Sequence, residues 1–87
     1  MNEFTFSKEA FAQYVSWQAQ DRRTLKRIND LLEDIRRNGP MNGIGKPERL
    51  KYCKGYSRRI DDSNRLVYDI DELGNIKIIA CKGHYEE

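Results

Sequence analysis

The spacing of apolar residues changes once along this chain, from a helical period of about 3.6 residues to the strict alternation typical of strands. The first half carries apolar stripes at helical spacing, and the chain alternates between polar and apolar residues from Arg49 onward. A short alternating run, Glu3 to Phe6, precedes the helical part and predicts a strand. This pattern predicts an α+β fold, with two N-terminal helices packed on one face of a twisted antiparallel sheet and a single domain over residues 1–87.

The first predicted helix begins after Ser7, which is suited to cap a helix N-terminus. Its apolar residues at helical spacing are Ala10, Phe11, Tyr14, Val15 and Trp17. Aromatic residues at this spacing belong to a buried face more often than to a ligand site. We therefore predict that this stripe is part of the core.

The second predicted helix begins after Asp21 and ends at Asn38-Gly39-Pro40, where a glycine and a proline stop it. Its apolar stripe is continuous and consists of Leu25, Ile28, Leu31, Leu32 and Ile35. Arg36 and Arg37 complement the negative end of the helix dipole. The opposite, charged face of this helix is predicted to be solvated.

The second half of the chain predicts an antiparallel meander of four strands, reached through one long loop at residues 39–47. The strands are predicted at Arg49 to Lys54, Tyr56 to Asp61, Arg65 to Ile70 and Ile76 to Cys81. If Ile60, Leu66, Tyr68 and Ile70 face the helices, alternation places Arg59 and Arg65 on the opposite, open face. We expect these two arginines to converge there.

Composition limits the class of protein. The chain has 87 residues, 34% of them charged, and a net charge of only +2. No apolar run approaches the ~18 residues of a membrane helix, and the first seven residues lack the basic and apolar regions of a signal peptide, so we expect a cytoplasmic protein without membrane contact. Cys53 and Cys81 are predicted to be buried thiols rather than a disulfide, as suits a reducing compartment. With His84 they offer at most three zinc ligands, one fewer than a structural zinc site uses.

Positive charge is concentrated between Gly45 and Tyr68 despite the small net charge. The basic residues of this stretch are Lys46, Arg49, Lys51, Lys54, Arg58, Arg59 and Arg65, with Tyr52, Tyr56 and Tyr68 among them. Basic side chains bind phosphates and aromatic rings stack on unpaired bases, which favours single-stranded RNA as the ligand. Only three acids lie in this stretch, and Glu48 stands between Lys46 and Lys51.

These residue types suit cleavage of RNA through its own 2′-hydroxyl. The reaction requires a base for the hydroxyl proton, an acid for the leaving 5′-oxygen and cations for the transition state, and it requires no metal. We assign Glu48 as the base and His84 as the acid. Arg65 and Arg59 would bind the reacting phosphate, Lys46 and Lys51 neighbouring phosphates, and Tyr85 the substrate by stacking or hydrogen bonding.

Residue types alone also fit other functions. A lone histidine near a terminus and a glutamate between lysines are commonly surface residues, so a non-catalytic RNA-binding or partner-binding domain is the main alternative. Replacing Glu48 or His84 would distinguish the two functions: binding should survive in both cases, and cleavage would be lost only from an enzyme.

The same residues resemble a known family, the YoeB/Txe toxins of the wider RelE-type superfamily. The matching segments cover almost the whole chain: Trp17-Gln18, Lys26-Arg27-Ile28-Asn29, Asp34, Arg36-Arg37, Gly45-Lys46-Pro47-Glu48, Leu50-Lys51, Ser57-Arg58-Arg59-Ile60, Arg65-Leu66-Val67-Tyr68 and His84-Tyr85. Several motifs in one order are more specific than any one of them.

This resemblance implies a ribosome-dependent mRNA interferase that cuts messenger RNA in the ribosomal A site without a metal. It implies the roles of base for Glu48 and acid for His84, with Arg65 and Arg59 on the phosphate, Lys51 as a supporting charge and Tyr85 on the substrate. It also implies a cognate antitoxin of the YefM/Axe type and, frequently, a toxin homodimer. A ParE-like relative, which shares the fold and acts on DNA gyrase, is the second alternative. The Glu48, Arg65 and His84-Tyr85 set argues against it, and DNA damage in place of mRNA cleavage would favour it. Two departures from the family pattern concern the C-terminus: Gly83 is expected to loosen the placement of His84, and Glu86-Glu87 to weaken RNA binding.

Overall fold

The computed structural model describes residues 3–85, which form two helices and one five-stranded sheet. The helices are α1 (Lys8–Gln20) and α2 (Arg22–Asn38). The strands are β1 (Phe4–Phe6), β2 (Glu48–Arg49), β3 (Tyr56–Arg59), β4 (Arg65–Ile70) and β5 (Ile76–Ala80), in the spatial order β1-β5-β4-β3-β2. The predicted α+β architecture is confirmed. The Glu86-Glu87 extension lies outside the described residues.

The sheet is mixed rather than wholly antiparallel. Strands β2 to β5 form the predicted meander, but β1 lies parallel to β5, with Phe4 opposite Ile76 and Phe6 opposite Ile78. Both helices lie between β1 and the meander in sequence, and so long a connection permits parallel pairing. Ser7 fixes the junction, because its N–H donates to the Ile78 carbonyl at 2.9 Å and its hydroxyl oxygen accepts the Ala10 N–H at 3.0 Å.

The predicted core face of α1 was wrong for two residues. Phe11 and Val15 are 58% and 45% exposed, whereas Ala10 and Trp17 are buried and Tyr14 is half-buried. Ala10, Tyr14 and Trp17 are spaced i, i+4, i+7 and therefore form one face. The small Ala10 begins that face, and it allows the helix to lie close to the sheet while Phe11 and Val15 are turned outward.

The predicted stripe of α2 is confirmed. Ile28, Leu31, Leu32 and Ile35 are buried, and Leu25 is half-buried against them. The helix ends at Gly39, where φ is 86° and the N–H donates to the Ile35 carbonyl at 2.9 Å. A positive φ at this position favours glycine.

Asp21 caps α2 as predicted, and the stability that this cap contributes depends on pH. Its carboxylate accepts the N–H groups of Arg23 and Thr24 at 3.0 and 3.3 Å and the Thr24 hydroxyl at 2.8 Å. The hydrogen bond from the Thr24 side chain, followed by that from its backbone, holds the pKa of Asp21 below its usual value. Because the folded pKa is lower than the unfolded one, this stabilisation is present above about pH 5 and is lost as the pH falls through the folded pKa.

We predict that Asp21→Asn has a lower free energy of unfolding than the wild type at pH 7. This difference should become smaller towards pH 3, because asparagine caps the helix but does not titrate in this range. Urea unfolding followed by circular dichroism at several pH values measures this difference. A difference that stays constant between pH 7 and pH 3 would contradict the account.

Two predicted strands are shorter in the structure by two or more residues. The run predicted from Arg49 to Lys54 is a strand only at Glu48–Arg49, and residues 51–54 are exposed bends. These residues have no buried side, and the loop closes where the Leu50 N–H donates to the Gly55 carbonyl at 3.0 Å. Strand β3 ends at Arg59 because the N–H groups of Ile60 and Asp61 both turn to the Asn64 carbonyl.

The cysteines differ from one another. Cys81 is buried, and burial raises the pKa of its thiol to about 11, so the thiol is protonated at neutral pH. Cys53 is exposed, contrary to the prediction. Among residues 3–85, no helix is long and apolar enough to cross a membrane.

Arg58 is the largest correction to the predicted basic surface. Its side chain is 0% exposed and forms an ion pair with Asp34 of α2. Its guanidinium also donates to three carbonyls of the long loop, at 2.8 to 2.9 Å: those of Gly39, Asn42 and Ile44. Arg58 therefore organises the loop that leads to Lys46 and Glu48 and cannot reach RNA.

Candidate active site

The open face of the sheet carries two adjoining depressions, of about 180 and 90 Å³. Three residues line both: Glu48, Ser57 and Arg65. The larger is completed by Arg49, Leu50, Lys51, Val67, His84 and Tyr85. The smaller is completed by Lys46 and Arg59. All seven residues predicted for the site therefore meet in one cleft.

Glu48 reaches this cleft from the two-residue strand β2, where it lies opposite Ser57 of β3. The turn before it is tight. The Arg59 N–H donates to the Gly45 carbonyl at 2.6 Å. Gly45 has a φ of 84°, and a Cβ there would lie 2.8 Å from a Leu31 methyl group and 3.2 Å from the Arg59 carbonyl oxygen, so glycine is strongly favoured. Lys46 follows with φ at 51°, a conformation that non-glycine residues adopt at a cost and that recurs at functional sites.

The two predicted arginines converge as alternation required. Arg59 and Arg65 are direct partners across β3 and β4, and both line the smaller depression. Nη1 of Arg65 donates to the Asp61 and Asn64 carbonyls at 2.6 and 3.1 Å. These bonds fix the guanidinium of Arg65 beside Glu48, while Arg59 is exposed and more adaptable.

The segment that carries His84 and Tyr85 to the cleft follows β5, and hydrogen bonds hold it at two residues, Cys81 and Gly83. At Cys81, the carbonyl accepts the Trp17 indole N–H at 2.9 Å and the N–H donates to the Gln13 side chain at 2.7 Å. At Gly83, the N–H donates to Oδ1 of Asn64 at 2.7 Å and the carbonyl accepts the Arg65 N–H at 3.1 Å.

Both backbone groups of Gly83, the residue before His84, are therefore hydrogen-bonded. The φ of Gly83 is 74°, and a Cβ there would meet nothing within 4 Å, so glycine is required for its backbone conformation and not for space.

We predict that Gly83→Ala lowers the free energy of unfolding by about 1 kcal/mol, the cost of an alanine in the left-handed conformation. Gly83→Asn should lose less, because asparagine tolerates this conformation. Urea unfolding of both variants tests this, and equal losses would contradict it.

The aromatic part of the predicted RNA surface is smaller than expected. Tyr68 is buried, and its hydroxyl donates to the Pro40 carbonyl at 2.6 Å. Tyr56 is half-buried and stacks on Tyr68 with ring centroids 5.7 Å apart. Tyr85, 39% exposed, is the aromatic ring that lines the cleft. Lys54 lies outside the residues that line either depression.

The predicted site omitted the cleft residues Arg49, Leu50, Ser57 and Val67, and it omitted Asn64, which lies outside the cleft lining. Ser57 shares the open face with Arg59, two residues along the same strand, and alternation could have identified it. Val67 is a buried residue of the open face and contributes to the wall of the cleft. Asn64 lies in the turn between β3 and β4, and its contact with Gly83 had no signal in the sequence.

This arrangement suits proton transfer beside a phosphate. A carboxylate and an imidazole line one depression, and five cationic side chains surround them: Lys46, Arg49, Lys51, Arg59 and Arg65. Such cations stabilise an anionic transition state. Within residues 3–85, no three His, Cys, Asp or Glu side chains are grouped so as to hold a metal ion.

The fold and cleft define a class of small α+β proteins with a basic cleft on the open face of the sheet. The sequence profile of one family, the YoeB-like toxin of bacterial type II toxin-antitoxin systems, matches residues 6–85. The chain belongs to this family.

Individual relatives agree with this assignment. Toxin YoeB of Escherichia coli K12 is 44% identical over 82 residues, which are 92% of this chain and 95% of the relative. The YoeB dimer of Staphylococcus aureus superimposes with a TM-score of 0.89 at 49% identity, covering 97% of this chain and 98% of the other. The toxin in the heterotetrameric YoeB-YefM complex of S. aureus gives the same TM-score at 48% identity, covering 98% and 99% of the two chains.

Proposed function

We propose that this toxin is a ribosome-dependent endoribonuclease that cleaves messenger RNA in the ribosomal A site. The observation that supports this most strongly is the meeting of Glu48, Arg65 and His84 in one cleft. They come from β2, β4 and the C-terminal segment, which are far apart in sequence. A surface used only for binding would need the cations but not a paired base and acid.

The reaction follows from these positions. Glu48 takes the proton of the ribose 2′-hydroxyl, whose oxygen attacks the adjacent phosphorus. Arg65 and Arg59 balance the charge that develops on the phosphate oxygens, and His84 gives a proton to the 5′-oxygen as the P–O5′ bond breaks. The products are a 2′,3′-cyclic phosphate and a 5′-hydroxyl. Because the nucleophile belongs to the RNA, the reaction requires no metal.

The remaining cleft residues bind the substrate. Lys46 and Lys51 lie on either side of Glu48 in sequence and line the smaller and the larger depression respectively, where they bind flanking phosphates. Tyr85 stacks on a base or hydrogen-bonds to it.

The proposed dependence on the ribosome is supported by membership of the YoeB-like toxin family. The larger depression has a volume of about 180 Å³, less than the 300–1,000 Å³ typical of ligand pockets. We expect the ribosome to hold the messenger RNA strand while this cleft contacts the scissile phosphate. The protein is accordingly proposed to act in the cytoplasm.

We also propose an antitoxin of the YefM/Axe type as the partner in the inactive state. The S. aureus YoeB-YefM complexes support this for a chain of similar sequence and fold. An acidic antitoxin segment would bind the cations around the cleft and compete with RNA. The S. aureus YoeB dimer likewise supports a toxin homodimer.

Primer extension on a messenger RNA incubated with the purified, antitoxin-free toxin tests the proposal, with and without programmed ribosomes. We expect in-frame cuts only when ribosomes are present. Cuts on naked RNA alone would remove the ribosome from the mechanism. Absence of cuts from a folded sample in both reactions would favour a non-catalytic or gyrase-directed toxin.

A further inference from the structure

The side chain of Asn64 connects the turn between β3 and β4 to the segment that carries His84. Its Oδ1 accepts the Gly83 N–H at 2.7 Å, and its Nδ2 donates to both carboxylate oxygens of Asp61 at 3.0 and 3.1 Å. Gly83 immediately precedes His84. The contact spans 19 residues of sequence and joins two parts of the site.

The orientation of the Asn64 amide is fixed by its partners. A carboxylate only accepts hydrogen bonds, so the NH₂ group must face Asp61 and the oxygen must face Gly83. Burial would raise the pKa of Asp61, but hydrogen bonds from Asn64 and Ser63 and the charge of Arg65 hold it below its usual value. The Asp61 carboxylate is therefore ionised at neutral pH and keeps the amide in this orientation.

The same turn also positions the phosphate-binding arginine. Nη1 of Arg65 donates to the carbonyls of Asp61 and Asn64, and its N–H donates to the Gly83 carbonyl. A shift of Asn64 would therefore displace the His84 backbone relative to the Arg65 guanidinium. In the proposed reaction these two groups act on oxygens of the same phosphate.

We infer that Asn64 is a positioning residue, which sets His84 at the leaving oxygen through its hydrogen bond to Gly83. This inference rests on the proposed function. Loss of the amide should lower the rate of the chemical step and leave substrate binding unchanged, because Asn64 itself is not among the residues that line the cleft.

Asn75 provides a matched control. It occupies the turn between β4 and β5, where its side chain donates to Asp71 at 3.2 Å and accepts the Glu3 N–H at 3.1 Å. This is the same kind of bridge between a turn aspartate and a neighbouring backbone, and it is remote from the cleft residues. Asn75→Ala should therefore reproduce the structural cost of Asn64→Ala without its effect on cleavage.

The experiment measures single-turnover cleavage on programmed ribosomes with two messenger RNAs. One carries the natural scissile phosphate, and the other carries sulfur in place of the bridging 5′-oxygen, so that the leaving thiolate needs no proton. On the natural RNA we expect Asn64→Ala to be about 100-fold slower than the wild type, the scale of a misplaced catalytic group, with an unchanged KM. Asn75→Ala should cleave at the wild-type rate.

On the sulfur-containing RNA, the difference between Asn64→Ala and the wild type should shrink to about threefold or less, as it should for His84→Gln. If Asn64→Ala still cleaves the sulfur-containing RNA slowly while His84→Gln cleaves it at the wild-type rate, the positioning role of Asn64 is overturned and the acid role of His84 stands. If both variants cleave that RNA slowly, the acid role of His84 is overturned, and the inference about Asn64 with it. If Asn64→Ala does not fold, Asn64→Leu takes its place with the same expected results, because leucine fills a similar volume but offers no acceptor to the Gly83 N–H.

Discussion

Replacement of Glu48 by glutamine is expected to lower the single-turnover rate of messenger RNA cleavage on the ribosome by about 10²- to 10⁴-fold, the usual contribution of a general base. Glutamine keeps the size of the side chain and its place opposite Ser57, but it cannot accept the 2′-hydroxyl proton. The loss should therefore appear in the rate and not in the binding of toxin to programmed ribosomes.

Glu72→Gln is the control for this prediction. Glu72 is also an exposed glutamate, but it lies between β4 and β5, outside the residues that line the cleft. The Glu72→Gln variant removes the same unit of negative charge as Glu48→Gln, and it should cleave at the wild-type rate. A Glu48→Gln rate within about threefold of the wild type would contradict the role of Glu48 as the base.

The largest expected effect on stability comes from Arg58→Met, which keeps much of the side-chain volume but removes the charge. Asp34 then loses its ion-pair partner, and the loop carbonyls and the Tyr68 hydroxyl lose their donors. Breaking one side of a buried pair costs about 3–5 kcal/mol. For a small domain with about 5–15 kcal/mol in total, such a loss leaves little stability.

Urea unfolding at neutral pH measures this loss. Arg36→Met is the control. Arg36 pairs with Glu33 at 2.7 Å on the exposed face of α2, the helix that carries Asp34, and an exposed ion pair contributes little to stability. Arg58→Lys should also be strongly destabilised, since one ammonium cannot replace the guanidinium that serves both Asp34 and the loop. Similar losses for Arg58→Met and Arg36→Met would contradict the structural role of Arg58.

The sequence predicted the parts of the fold whose causes are local. Ser7 and Asp21 cap the two helices because short polar side chains satisfy free N–H groups at helix starts. Strand alternation correctly placed Arg59 and Arg65 together on the open face. Since these two arginines lie on neighbouring strands, their convergence could be predicted from the sequence alone.

The failures concern features that depend on distant partners. The three residues of β1 contain no information about which edge they join. Phe11 looks like a core residue until the close approach at Ala10 is known. Arg58 was counted with the basic surface, although alternation from Arg59 already placed it on the helix side, and its partner Asp34 is 24 residues away.

The proposed cleavage of RNA through its own 2′-hydroxyl is tested most directly by a single 2′-deoxy nucleotide. The measurement is ribosome-programmed cleavage of two messenger RNAs that differ only by a 2′-deoxy sugar on the 5′ side of the mapped cut. We predict that the all-ribose RNA is cut to a 2′,3′-cyclic phosphate and that the same bond in the deoxy RNA stays intact. Cleavage of the deoxy-substituted bond at an undiminished rate would contradict the account.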